Sequence, residues 1–301
     1  MLAPDTSEQR QVALVVNLRS RHAARRLREA RSLFAAAGWT VAAESASRDP
    51  RALPAAVQGL IDAGHRRVVV GGGDGSINSV LPCFVGRDAV LGLLPLGTAN
   101  SFARALGIPL SLDAAVDAIT EGRVERVDLG RVDGRYFATV LSVGVAAAVS
   151  EALQPSLKHR LGKLSYVYVG AKALARHRPF HCRLQWPQGE LEGSVLNLLV
   201  ANTPYQGGVP LAPRADPRDG QLLVRVVRSH RRSNLLRTWW HALHGRADAL
   251  PFVEEFTTSR LAIDAVPPQR INADGELVQR TPVQVSVAPR AVAVMLPAGG
   301  R

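Results

Sequence analysis

With 301 residues, 47 % of them hydrophobic and 21 % charged, the chain is long enough for two domains with their own cores and is not a disordered polymer. Its 37 Lys and Arg against 25 Asp and Glu give a formal charge of +12, which favours anionic partners, yet only 5 % aromatic residues and no recognisable module speak against nucleic acid. No apolar run reaches the ~18 residues of a membrane span, Asp5, Glu8 and Arg10 stand where a leader would need a basic start, and Cys83 and Cys182 have no metal-ligand spacing, so a cytoplasmic protein with buried free thiols is expected.

The first strand is expected over Val12 to Val16, followed by an Arg- and Ala-rich helix from Leu18 to Ala37 that stops at Gly38. Thr40 to Ala43 reads as a second strand, Pro50 to Ala63 as a helix closed by Gly64, and Arg67 to Val70 as a third strand. Alternation of strand and helix with glycine stops indicates a parallel, right-handed α/β sheet. Ala89 to Leu94 repeats the strand pattern.

The third strand runs directly into Gly71-Gly72-Gly73-Asp74-Gly75-Ser76-Ile77-Asn78. A β-branched run ending in consecutive glycines and an acid is a buried strand opening into a tight turn, where backbone can approach a ligand closely. The lysine of a Walker A loop is missing, since the chain's Lys158, Lys163 and Lys172 all lie far away. A G-x-G-x-x-G frame fails as well, because its third glycine falls on Ser76 or Asn78. There remains a turn whose N–H groups can hold anionic oxygens, with Asp74 available to a divalent cation. Gly97-Thr98-Ala99-Asn100 ends the next strand, and two strand-end turns can face one cleft.

The pattern changes after about Asp128. Apolar runs at 136–145, 181–186, 193–201, 221–227, 260–265 and 283–287, separated by short turns, suggest antiparallel β structure. Helical stretches are expected near 162–176 and 233–244. In the second of these, Arg228, Arg231, Arg232 and Arg237 alternate with Leu235, Leu236, Trp239, Trp240 and Leu243; this suits an anionic bilayer surface, although core packing is the commoner cause of such a stripe.

The GGGDGSIN and PLGTANSFARALGIP segments together resemble the diacylglycerol kinase catalytic domain, a family of bacterial lipid kinases related to diacylglycerol and sphingosine kinases. Asn202, Gly207, Gly208, Leu211-Ala212-Pro213, Ala215 and Asp219-Gly220, and then Ile271 to Glu276, extend the likeness over nearly the whole chain. The resemblance implies a nucleotide-binding α/β domain over 1–128, akin to NAD kinase and phosphofructokinase and completed by 290–299, and a C-terminal antiparallel β-sandwich domain over 129–289. It implies ATP and Mg²⁺ as cofactors, a lipid acceptor at an anionic membrane surface, and transfer of the γ-phosphate to a lipid hydroxyl. A homodimer is compatible with the sequence.

Roles follow from the same resemblance. Gly71, Gly72, Gly73, Gly75, Ser76 and Asn78 would surround the phosphates, with Gly97, Thr98 and Asn100 adding donors and Ser45 approaching from the loop after the second strand. Asp74, and Asp128 at the domain border, would organise Mg²⁺. Asp274 or Glu276 would be the base, Asp274 being slightly favoured, although Asp-Gly in a hairpin turn needs no function. Asp216, Asp219 and the Gln221 carbonyl would hold a structural Mg²⁺. Two departures stand out: Ser101 replaces the aspartate of the family's Gly-Thr-x-Asn-Asp, and Asn17-Leu18-Arg19-Ser20-Arg21 replaces its NPxSG turn. The first raises a different possibility, a nucleotide-binding regulatory protein that has lost transfer. A soluble-substrate kinase related to NAD kinase is the third reading.

Overall fold

The computed structural model describes residues 10–19, 22–144, 178–229, 231–243 and 250–299. The chain divides into two compact units, Met1–Asp128 with Pro289–Arg301, and Leu129–Ala288.

The first unit is an α/β layer. Its elements are β1 (Gln11–Asn17), α1 (Ala23–Ala36), β2 (Thr40–Ser47), α2 (Leu53–Asp62), β3 (Arg67–Gly72), α3 (Asp74–Val80), β4 (Val90–Pro95), α4 (Ser101–Ala105), α5 (Leu112–Thr120) and the start of β5 (Arg123–Val132). Strand order is β2-β1-β3-β4, all parallel, and Ala293 and Val294 return beside Val90 and Leu91 of β4. Val12–Val16 and Val68–Val70 are buried on both faces, as a parallel sheet covered by helices requires. Each such Val or Leu contributes about 1.5–3 kcal/mol by leaving water.

Two helices start later than their sequence pattern. The first begins at Ala23 because Asn17 Oδ1 accepts from the Arg19 amide at 3.0 Å, holding a local turn after β1. The second begins at Leu53 after a short 3₁₀ turn that Asp49 caps through the Arg51 amide.

The second unit is two antiparallel layers. After the remainder of β5 come β6 (Arg135–Phe137), β7 (Val140–Gly144), β8 (Phe180–Trp186), β9 (Gly189–Val195), β10 (Asn197–Ala201), β11 (Tyr205–Gln206), β12 (Val209–Pro210), β13 (Leu222–Val227), α6 (Arg232–Leu243), β14 (Val253–Thr258), β15 (Arg260–Val266), β16 (Arg270–Ala273), β17 (Glu276–Arg280) and β18 (Val283–Leu296). One layer has the order β14-β13-β10-β7-β16-β17; the other places β8 between β9 and β15, with β15 beside the first half of β18. Leu141, Leu198 and Val224 from the first meet Leu184, Ile263 and Val285 from the second in one core, the packing of a β-sandwich.

Strands β14 and β17 escape the sequence pattern because their burial is one-sided or slight, β16 because it is four residues long and carries Arg270 and Asn272, and the expected strand over 193–201 is broken at Leu196 into β9 and β10. The helix expected at 162–176 lies outside the described residues. Among the described residues no helix is long and apolar enough to cross a membrane.

Candidate functional site

In the first unit, the two glycine turns are built against each other. Gly72 pairs with Pro95 in the β3/β4 ladder, and the Leu96 amide donates to the Gly72 carbonyl at 2.9 Å. A Cβ on Gly97 would lie 2.4 Å from the Gly73 Cα, and one on Gly72 would lie 2.5 Å from the Ser76 Cβ. Glycine is therefore required at both positions, at Gly97 by the close approach of the Gly73 backbone and at Gly72 by the Ser76 side chain. Gly97 and Thr98 remain exposed, so the turn presents backbone to solvent.

The side chains divide between turn-holding and exposed roles. Asn100 adopts the left-handed conformation at φ 49° and is bonded twice to Gly97, accepting from its amide at 3.0 Å and donating to its carbonyl at 2.9 Å. Its amide thus holds the turn's shape. Ser76 is buried and its hydroxyl accepts from Asn17 Nδ2 at 2.8 Å, tying the end of β1 to the glycine turn. Among the described residues, the Asn78 Oδ1 is a buried acceptor without a partner. The backbone amides of Asp74 and Gly75 open α3, where helix geometry provides them no intrahelical acceptor.

Asp74 sits at the meeting of the two turns. Its carboxylate accepts from the Ser101 hydroxyl at 3.5 Å and from the Phe102 amide at 3.4 Å, both long. Burial raises its pKa above the ordinary carboxylate range, and these bonds oppose the shift. Ser101, which stands where the family has an aspartate, is therefore a neighbour of Asp74 through space as well as in the motif.

Two expectations change position. Ser45 is not in a loop: it is paired with Val15 inside β2, because β2 continues to Ser47 along β1. Asp128 is buried in β5, where its Oδ1 accepts from the Arg290 amide at 2.6 Å; Arg290 has φ 51°, and the carboxylate holds that left-handed kink in β18.

In the second unit, Asp274 occupies the β16–β17 turn at φ 52°. Its carboxylate accepts from the amides of Ala138 at 2.5 Å, Thr139 at 2.8 Å and Val140 at 3.1 Å, and from the Thr139 hydroxyl. Its own amide donates to the Val140 carbonyl at 3.0 Å. Burial pushes its pKa up, against the pull of these donors. Glu276, two residues on, is exposed. The slight preference for Asp274 as the base is thus weakened by geometry: four donors already occupy it, whereas Glu276 projects from the start of β17. Thr139 and Ala138 were not singled out from sequence, although a threonine inside the apolar run 136–145 was the available signal.

Asp216 and Asp219 stand in the turn before β13. Asp219 accepts from the Gln221 amide at 2.8 Å and Asp216 pairs with Arg218 at 3.5 Å. Among the described residues no group of three or more His, Cys, Asp or Glu side chains could hold a metal ion.

Comparison with known proteins agrees with both units. The sequence model "Diacylglycerol kinase catalytic domain" matches residues 11–132, and "YegS C-terminal NAD kinase beta sandwich-like domain" matches 139–296. A Pseudomonas fluorescens protein named "Probable lipid kinase YegS-like" is 33 % identical over 247 residues, covering 80 % of this chain and 81 % of its own length. A Mycobacterium tuberculosis protein named "Diacylglycerol kinase" is 32 % identical over 252 residues, covering 79 % of each chain. The crystal structure of a diacylglycerol kinase from Bacillus anthracis superposes with a TM-score of 0.79 at 21 % identity, covering 95 % of this chain and 97 % of the other, which is a likeness of fold.

Proposed function

Since the chain belongs to the diacylglycerol kinase family of lipid kinases, we propose that it transfers the γ-phosphate of ATP to a hydroxyl of a diacylglycerol-like lipid. The observation that carries this reading is the pair of glycine turns, Gly72-Gly73 against Gly97, with the Asp74 carboxylate beside them. Backbone close to solvent at Gly97 and Thr98, and the opening amides of α3, suit oxygens of a nucleotide phosphate chain.

The donor set fits Mg²⁺. That ion is commonly held by one or two carboxylates together with substrate phosphates and water. The hydrogen bonds Asp74 accepts from the Ser101 hydroxyl and the Phe102 amide are long, which leaves its carboxylate suited to a cation, and the Ser101 hydroxyl can add a neutral oxygen. When bound, the ion supplies neutralisation of the charge on the transferring phosphoryl group. Asp128 acts at one remove, by fixing Arg290 in β18.

Phosphoryl transfer needs positioning and charge compensation, and then a base at the acceptor hydroxyl. Glu276 is the better base, because it is exposed while Asp274 is spent on four donors from 138–140. Asp274 then shapes the turn that presents Glu276. A turnover assay with ATP, Mg²⁺ and diacylglycerol in mixed micelles tests the reading: ADP release should depend on lipid and vanish in Asp74→Ala. ATP binding without lipid-dependent turnover would favour the second reading, a nucleotide-binding regulator, for which Ser101 beside Asp74 is the supporting observation.

A further inference from the structure

Helix α6 carries a face that core packing does not use. Thr238 is buried, and its hydroxyl donates to the Asn234 carbonyl at 2.9 Å, so that side of the helix points inward. Ser233, Arg237 and Trp240 are exposed, and their spacing of four and then three residues places them on one stripe. Trp240 is 64 % exposed, where most tryptophans are largely covered.

Along the sequence, the charge flanking this stripe has one sign. From Gly220 to Ala247 the sequence contains no Asp or Glu, while Arg225, Arg228, Arg231, Arg232, Arg237 and Arg246 fall in the same stretch. Two of these are compensated from elsewhere: Arg225 pairs with Glu255, and Arg228 with Glu254 at 2.8 Å. Arg231, just before the helix, and Arg237, within it, have exposed side chains. An exposed indole one turn from a guanidinium matches the headgroup layer of a bilayer, where the ring enters the apolar boundary and the cation meets phosphate.

We propose that the Ser233–Arg237–Trp240 face of α6, with Arg231, is the surface by which this chain sits on an anionic bilayer. The proposal rests on the lipid kinase reading for its purpose, since an enzyme whose acceptor lies in a membrane must reach it there. Its physical basis, an exposed indole one turn from the exposed Arg237 side chain, is independent of that reading. The attraction comes from diffuse surface charge plus insertion, so it weakens with salt and is absent on neutral lipid.

Co-sedimentation of the full chain with vesicles tests it, using phosphatidylglycerol mixed with phosphatidylcholine against phosphatidylcholine alone. Wild type should sediment only with the anionic vesicles and be released by salt. Arg237→Glu should lower the partition coefficient on the order of 25-fold, because each basic residue near such a surface is worth about a fivefold factor and the change removes one charge and adds its opposite. Trp240→Ala should lower it several-fold, and Arg237→Gln should fall between wild type and Arg237→Glu. Both positions are exposed, so unchanged melting temperatures are expected. Sedimentation of Arg237→Glu and Trp240→Ala equal to wild type, or equal binding to neutral vesicles, overturns the proposal. Turnover on a short-chain diacylglycerol dispersed as monomers separates it from the functional reading. Variants that retain that turnover but lose vesicle binding support both, whereas a wild type inactive on every lipid yet sedimenting through α6 sinks the kinase reading alone.

Discussion

The amide and the hydroxyl of Thr139 both donate to Oδ1 of Asp274, the amide at 2.8 Å, although the two residues are 135 positions apart in the chain. The contact fixes the β16–β17 turn against the start of β7 and sets the direction in which Glu276 leaves it. Thr139→Val removes the hydroxyl donor while keeping shape. Hydrogen bonds to charged groups are worth about 1.5–3 kcal/mol, so urea unfolding should show a loss of that order, largely recovered by Thr139→Ser. Equal stability of Thr139→Val and wild type would remove the anchor from the account.

Glu276→Gln and Asp274→Asn should fail in different ways. The first keeps the fold, because Glu276 is exposed, and should lower kcat by ~10²–10⁴-fold with ATP affinity unchanged. The second replaces one carboxylate oxygen by an NH₂, which meets either the Ala138 donor at Oδ2 or those of Thr139 and Val140 at Oδ1, and should lower the unfolding free energy by about 3 kcal/mol. Steady-state kinetics beside thermal unfolding resolves the two; a stable, inactive Asp274→Asn would return the base to Asp274.

The glycine turns give a sharper contrast. Gly97→Ala drives a Cβ to 2.4 Å from the Gly73 Cα, where only backbone can yield, and should cost about 1–3 kcal/mol and abolish nucleotide binding. Gly75→Ala meets no protein atom within 4 Å and should fold as wild type. Calorimetric titration with ATP decides the matter.

Asp74 carries a pH prediction. Burial raises its folded-state pKa, so the folded chain holds this proton at a pH where the unfolded chain has released it. Wild-type stability from this group is therefore fully present below the unfolded carboxylate pKa and declines as pH rises through the raised value. Asp74→Asn should melt higher than wild type at neutral pH, and the advantage should disappear in acid. Because a cation must displace that proton, the Mg²⁺ concentration at half-maximal turnover should rise as pH falls. A pH–rate profile and melting curves across the window test both signs.

Ser101→Asp adds a second carboxylate beside Asp74. Lying within reach of Asp74, it should lower the Mg²⁺ concentration at half-maximal activity several-fold, since carboxylates are the ordinary ligands of that ion. An unchanged Mg²⁺ dependence would show that position 101 is not part of the cation's surroundings.

The features legible in the chain as written were local ones. A β-branched run ending in glycines defines a buried strand and its turn within a dozen residues, so β3, β4 and the turns at Gly71–Asn78 and Gly97–Asn100 could be read directly. The alternation of strand and helix followed by closely spaced strands likewise exposed the two-part architecture, because hydrophobic periodicity is a property of neighbouring residues. Residue types, however, did not reveal their occupations. Ser76 looked like a ligand for phosphate and is bonded to Asn17, 59 positions away; Asp274 looked like a free base and is held by residues more than 130 positions earlier. A hydrogen bond across the fold leaves no periodic trace in sequence, and whether a carboxylate is available to a substrate or already satisfied depends on partners that only the folded chain brings within 3 Å.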